Sequence, residues 1–230
     1  MRSVELFSAY VAWLAREVPD AYANLAPGAT DADLEVVAAR TGRALPVEVS
    51  EVLRMHNGQR TTMTTLDETY AMPCLPTLSF LSTWHIVALW EEWEDLRRSQ
   101  EQEGGLAGLQ EIGSVFSAAE GVVRPLYTSP GWIPLWSDPV RADYVGLDFD
   151  PAERGAPGQI INFGRDEEKH FLCADGFTGL LEILLDEVVH RRAWRASVIR
   201  TRTGPRPWFG DPDEHFFNAL YARFSGRDRS

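Results

Sequence analysis

The residues with the clearest chemical potential in this 230-residue chain are the two carboxylates of Asp148-Phe149-Asp150. Alternation along a strand would put both on one face, a spacing that can hold a divalent cation. The competing reading, which the neighbouring residues favour, has Asp148 facing solvent at a strand end and Asp150 capping a turn ahead of Pro151. Two carboxylates without a partner histidine also fall short of acid/base catalysis, which needs two groups whose environments are driven apart. The five histidines, His56, His85, His170, His190 and His215, show no H-x-x-x-H or H-E-x-x-H spacing. No G-x-S-x-G elbow, P-loop or G-x-G-x-x-G occurs. Cys74 and Cys173 are isolated, so neither a metal knuckle nor a redox pair is indicated, and Cys173 reads as a small core residue. The sequence therefore predicts no catalytic residue, no metal and no cofactor.

Function then has to be sought on a surface. From Asp138 to Asp175 nine carboxylates stand against Arg141, Arg154, Arg165 and Lys169, many of them in turns between strands. Loops carried on a rigid sheet are where binding specificity is usually built. Asp138, Asp143, Asp148, Asp150, Glu153, Arg165 and Asp166 are accordingly the predicted partner-binding residues. A net charge of -12, with Lys169 the single lysine, argues against a nucleic-acid ligand and against an anionic membrane, and favours a basic protein partner. Six arginines between 191 and 206 read either as an anion-binding patch or, preferably, as partners of acidic surface on the same chain. Trp13, Trp84, Trp90, Trp132 and Trp136 are expected in the core, and Trp194 and Trp208 as exposed anchors.

The elements that must position these residues fall into two regimes. Val4, Phe7, Tyr10, Val11, Leu14 and Val18 recur at helical spacing up to Pro19. A second helix follows a Thr30 cap and ends at Gly42, and a third runs from Pro46 to Asn57-Gly58. Residues 59–80 read as loop with one edge strand, and a further helix opens at Ser82 or Thr83 and fades at Gly104-Gly105. Residues 104–130 read as a long connection with a weak strand near Val122 to Leu126. The period then drops to two: strands at 132–136, 143–148, 158–163 and 170–174 are joined by gaps too short for parallel crossovers. An apolar helix from Phe177 to about Arg192, a strand or helical extension at Trp194 to Ile199, a Pro-rich joint at Gly204 to Pro212 and a last helix at Asp213 to Phe224 complete the chain. The expectation is a single α+β domain over 1–230, a largely antiparallel sheet of four to six strands flanked by helices, N-terminal helices first and C-terminal helices last, with 194–230 as an extension. No signal peptide and no apolar run of about 18 residues is present, so the chain reads as cytoplasmic.

Five segments, LPVEVSEVLRMHNG (45–58), WIPLWSD (132–138), DYVGLDFDP (143–151), GQIINFGRD (158–166) and FLCADGFTGLLE (171–182), together resemble the SUKH superfamily, in the branch of the yeast Smi/Knr cell-wall regulators and their bacterial relatives. The order and spacing match over about residues 30–190. The resemblance implies an antiparallel sheet flanked by helices and no catalytic residues. It further implies either an immunity protein that neutralises a basic, often nuclease, toxin through the acidic surface, or a regulatory scaffold of the Smi/Knr cell-wall type without a toxin partner. Ala142 and Pro139 stand where the family more often has glycine, so the turn at 138–143 is expected to differ in shape. An enzyme built on Asp148, Asp150 and a histidine is the remaining reading, and the weakest.

Overall fold

The computed structural model describes residues 2–60, 72–189, 198–201, 204–208, 218 and 220–222. The apolar stripe of the first helix, α1 (Arg2–Glu17), buries Phe7, Tyr10, Trp13 and Leu14, and Pro19 opens rather than blocks the short α2 (Pro19–Ala23), as proline at a first helical position does. The next helix, α3 (Asp31–Thr41), begins on a reciprocal capping box between Thr30 and Asp33 and ends at Gly42, whose φ of 70° is the left-handed cap. After α4 (Val47–Met55) the chain turns at Gly58, φ 68°; most of the loop predicted at 59–80, residues 61–71, lies outside the described residues, and β1 (Ser79–Phe80) follows. Buried Gln59 fixes that arrival, its Oε1 accepting from the amides of Cys74 and Phe80. Ser82 caps the long α5 (Thr83–Gln102), accepting from the His85 amide.

A short α6 (Leu106–Gln110), β2 (Ser114–Val115) and a 3-10 turn at Ser117–Ala119 lead to the central strands β3 (Trp132–Ser137), β4 (Asp143–Asp148) and β5 (Gln159–Gly164). With β6 (Lys169–His170) and β7 (Leu172–Ala174) they give a five-stranded sheet ordered β1-β3-β4-β5-β7, every neighbouring pair antiparallel, and a small parallel pair β2-β6. The α+β fold with an antiparallel sheet and N-terminal helices first is thus the one expected. All six residues of β3, of β4 and of β5 are buried. Both faces of the sheet are therefore covered, one with Trp93 and Arg97 of α5 against Trp132 and Phe163, while α7 (Phe177–Leu184) packs on β5 and β7. Trp136 is buried as predicted, but a bulge after Pro134 pairs it with Val145, on the face opposite Trp132.

Three element expectations need correction. Residues 122–126 form no strand; Pro125 has no amide to donate, and the carbonyls of Val122 and Leu126 accept instead from Ala152, Gln159 and His170. The last long helix passes from α7 into a π-helical turn at Leu185–Val189. The predicted joint at 204–212 contains β9 (Gly204–Pro207), paired antiparallel with β8 (Val198–Thr201) in a two-stranded ribbon whose free edges tolerate Pro205 and Pro207. The joint's end, the helix predicted at 213–224 apart from helical residues 218 and 220–222, and four of the six arginines at 191–206 lie outside the described residues, as do Trp194, His190 and His215.

Candidate functional site

The seven predicted binding residues divide between the two ends of β4, about 17 Å apart for a six-residue strand. Asp148, Asp150 and Glu153 lie at one end; Asp138, Asp143, Arg165 and Asp166 lie at the other.

At the first end Asp148 does not face solvent. It is 0% exposed, because β4 is covered on both sides, and its carboxylate accepts from the Trp132 indole (3.1 Å), the Asp150 amide (2.8 Å) and the Gln159 side-chain amide (2.8 Å). Burial pushes its pKa up while these donors pull it back. Asp150 lies just past the strand and is half-buried, accepting from Arg124 (2.6 Å) and the Ser129 hydroxyl (2.9 Å). The pair therefore ties the 121–131 connection to the sheet rather than forming a shared cation face. Glu153 is exposed in the loop beyond.

At the other end Asp138 is 5% exposed and builds the turn that follows it. Its Oδ1 accepts from the amides of Ala142 (2.7 Å) and Asp143 (3.0 Å) and its Oδ2 from that of Val140 (3.3 Å), an arrangement that leaves Arg141 at φ 60°. The departure from glycine in this turn is thus met by a side chain organising the backbone. Asp143, also buried, accepts from the Asp166 amide (3.1 Å) and so joins the β3–β4 turn to the β5–β6 turn. Burial drives its pKa up to about 7, with the nearby Asp138 and Asp166 adding to the rise. Glu167, absent from the sequence-based set, is likewise pushed to about 7, first by burial and then by the charge of Asp143. Its Oε2 accepts from Asn162 (3.0 Å), a fully buried residue whose Oδ1 takes the Phe171 amide. Next to it His170 is 0% exposed with its ring nitrogens 3.0 and 2.7 Å from the carbonyls of Asn162 and Leu126, and burial lowers its pKa.

The exposed members at this end are Arg165 and Asp166, a loose pair at 3.7 Å. Two apolar side chains that sequence placed elsewhere or passed over are exposed as well. Trp84 is 68% exposed rather than core, because its position on α5 is turned away from the buried stripe of Ile86, Leu89 and Trp90, and it meets His85 edge-on at 4.9 Å. Val140, in the β3–β4 turn, is 52% exposed. His85 lies close enough to Arg141 for the guanidinium, after burial, to push the imidazole pKa down to about 4, which places the start of α5 beside that turn. The core expectation took Trp84 as the first member of a stripe with Val87 and Trp90; a helical wheel centred on Ile86 and Trp90 puts it outside that stripe. Trp208 is half-buried rather than exposed.

Elsewhere the chain offers little chemistry. Cys74 and Cys173 are free, buried thiols with pKa values raised by burial. Among the described residues no three of His, Cys, Asp or Glu are grouped as metal ligands, and no helix is long and apolar enough to cross a membrane.

Residues 28–183 match the family model described as SMI1 / KNR4 family (SUKH-1). Similar proteins include the cell wall biosynthesis/cell cycle regulator smi1 of Schizosaccharomyces pombe, 30% identical over 91% of this chain and 38% of its own length. The cell wall assembly regulator SMI1 of Saccharomyces cerevisiae is 25% identical over 72% of this chain and 36% of its own. A glucan synthesis regulatory protein of Neurospora crassa is 22% identical over 76% of this chain and 36% of its own. The chain thus spans less than two fifths of the length of these relatives.

Proposed function

Because the chain belongs to the SMI1 / KNR4 family (SUKH-1), we propose that it is a non-catalytic regulatory module that acts by binding another protein, within the cytoplasm. The relatives named above are regulators and none is named as an enzyme, which favours regulation over toxin immunity as the first reading. The observation that carries the binding reading is Trp84, a large aromatic side chain left 68% exposed in the first turn of α5. Tryptophan is the residue type that most often anchors a protein interface. The surface we assign has Trp84 and Val140 as apolar contacts and Arg165 and Asp166 as the charged rim, with Asp138 and Asp143 holding the turns from inside. Glu153 belongs to a second, separate acidic edge.

Co-purification from the native host tests this. A tagged parent chain is expected to retain a protein partner that the double variant Trp84→Ala/Asp166→Arg retains at less than about a tenth of the level, the loss expected from removing one anchor and one charge. Equal recovery by both, with both chains folded, would move the interface off this end of the sheet.

A further inference from the structure

Between α5 and the two turns at this end of the sheet lies a cleft of about 360 Å³, a size within the ~300–1,000 Å³ of small-molecule sites. Its lining is unlike the rest of this acidic chain. Trp93, Tyr127 and Tyr144 give it aromatic walls, and Arg141 and Arg165 stand at its edge. The tyrosines also hold the arginines: the Tyr144 hydroxyl donates to the Arg141 carbonyl (2.5 Å) and the Tyr127 hydroxyl to the Arg165 carbonyl (3.2 Å). The Arg165 amide donates in turn to the Ala142 carbonyl (2.7 Å), closing the two turns on each other. Trp93 meets Tyr127 edge-on at 5.6 Å. Aromatic walls and cationic edge are thus one connected unit, ordered before any ligand arrives.

Arg141 adds an independent sign. Its φ of 60° is a backbone that glycine adopts freely and a long side chain rarely does. Here the turn accepts that strain at a residue that lines the cleft, and strain retained at such a place motivates a functional reading.

We propose that the cleft binds a small aromatic anion, a planar ring bearing a phosphate or carboxylate, with the ring against Trp93 and the tyrosines and the anion between Arg141 and Arg165. Carboxylates that oppose it are Glu92 on the lining, Asp166 beside Arg165, Glu168 near Tyr127, and Asp138 and Asp143 near Tyr144. The site needs no protein partner, so it stands or falls apart from the regulatory reading.

Isothermal titration calorimetry on the full chain tests the proposal with phenyl phosphate, inorganic phosphate and phenol as probes. Phenyl phosphate is expected to bind saturably with one-to-one stoichiometry, and each fragment about tenfold more weakly or worse, since each supplies half of the contacts. Arg165→Glu, at an exposed side chain, is expected to lower phenyl phosphate affinity about tenfold or more at parental melting temperature. Arg141→Gly is expected to lose affinity while melting no lower than the parent, because glycine relieves the φ. Absence of saturable phenyl phosphate binding, equal binding of phenyl phosphate and inorganic phosphate, or parental affinity in Arg165→Glu would each overturn the proposal.

Discussion

Three donors converge on the Asp148 carboxylate at the end of a strand that is covered on both faces, and of the three only the Gln159 amide has a further acceptor, the Val122 carbonyl. Asp148→Ala is expected to cost about 3 kcal/mol in denaturant unfolding, the penalty of stranding several buried donors, and Asp148→Lys to prevent folding. Retention of stability within about 1 kcal/mol would show that water replaces the carboxylate. Asp143 and Glu167 give a pH signature. Their protonated forms are favoured in the folded state up to about 7, whereas the unfolded chain releases those protons near the ordinary 3.8 and 4.5. The unfolded state therefore holds fewer protons across that interval, so this contribution to stability is full at low pH and is lost as pH rises through about 7. Asp143→Asn, which keeps an Oδ1 acceptor for the Asp166 amide, is expected to raise the melting temperature at pH 8, to raise it less at pH 5, and to have little effect at pH 3. An equal shift at all three values would contradict the burial of a charged carboxylate there. None of this was legible in the sequence. An aspartate at a strand end reads as solvated because period-two alternation implies one wet face, and only the packing of α5 over 127–132 removes that face.

Local signals of helix and turn were sufficient at the level of elements wherever the cause was local. The Thr30 capping box, Gly42 and the Ser82 cap are backbone chemistry written in residue type, and each element begins or ends where that chemistry places it, whereas α4 stops at Met55 with His56 extended, ahead of the left-handed Gly58. The failures occur where distant chain decides. Residues 122–126 carry strand-like valines, yet their carbonyls are taken by Ala152, Gln159 and His170, which no local pattern announces. Inside the sheet Gly146 is required by approach rather than by φ: a Cβ there would lie 2.1 Å from the Ile133 carbonyl oxygen of β3. Gly146→Ala is expected to lower stability by about 3 kcal/mol, the upper range of overpacking, because the clashing atoms, of Ile133 and Pro134, are all backbone. Thermal unfolding measures it, and a loss under about 1 kcal/mol would mean that β3 and β4 can separate locally without cost.

At the scale of the molecule the family was legible because five short segments keep their order and spacing, and the matched span of 28–183 coincides closely with the predicted core of 30–190. The binding surface was less so. Nine carboxylates clustered in sequence between 138 and 175 are divided by the length of β4 into two ends, and three of the predicted contact residues, Asp138, Asp143 and Asp148, are internal. What the fold leaves exposed is a tryptophan in the first turn of α5, and a valine and an arginine–aspartate pair on two interlocked turns. Hydrogen exchange of the chain, alone and bound to its co-purified partner, tests that assignment most directly. The account predicts protection gathered on the first turns of α5, on 138–143 and on 164–168. Protection confined to the α1 and α4 side, or no stable protein complex, would contradict it.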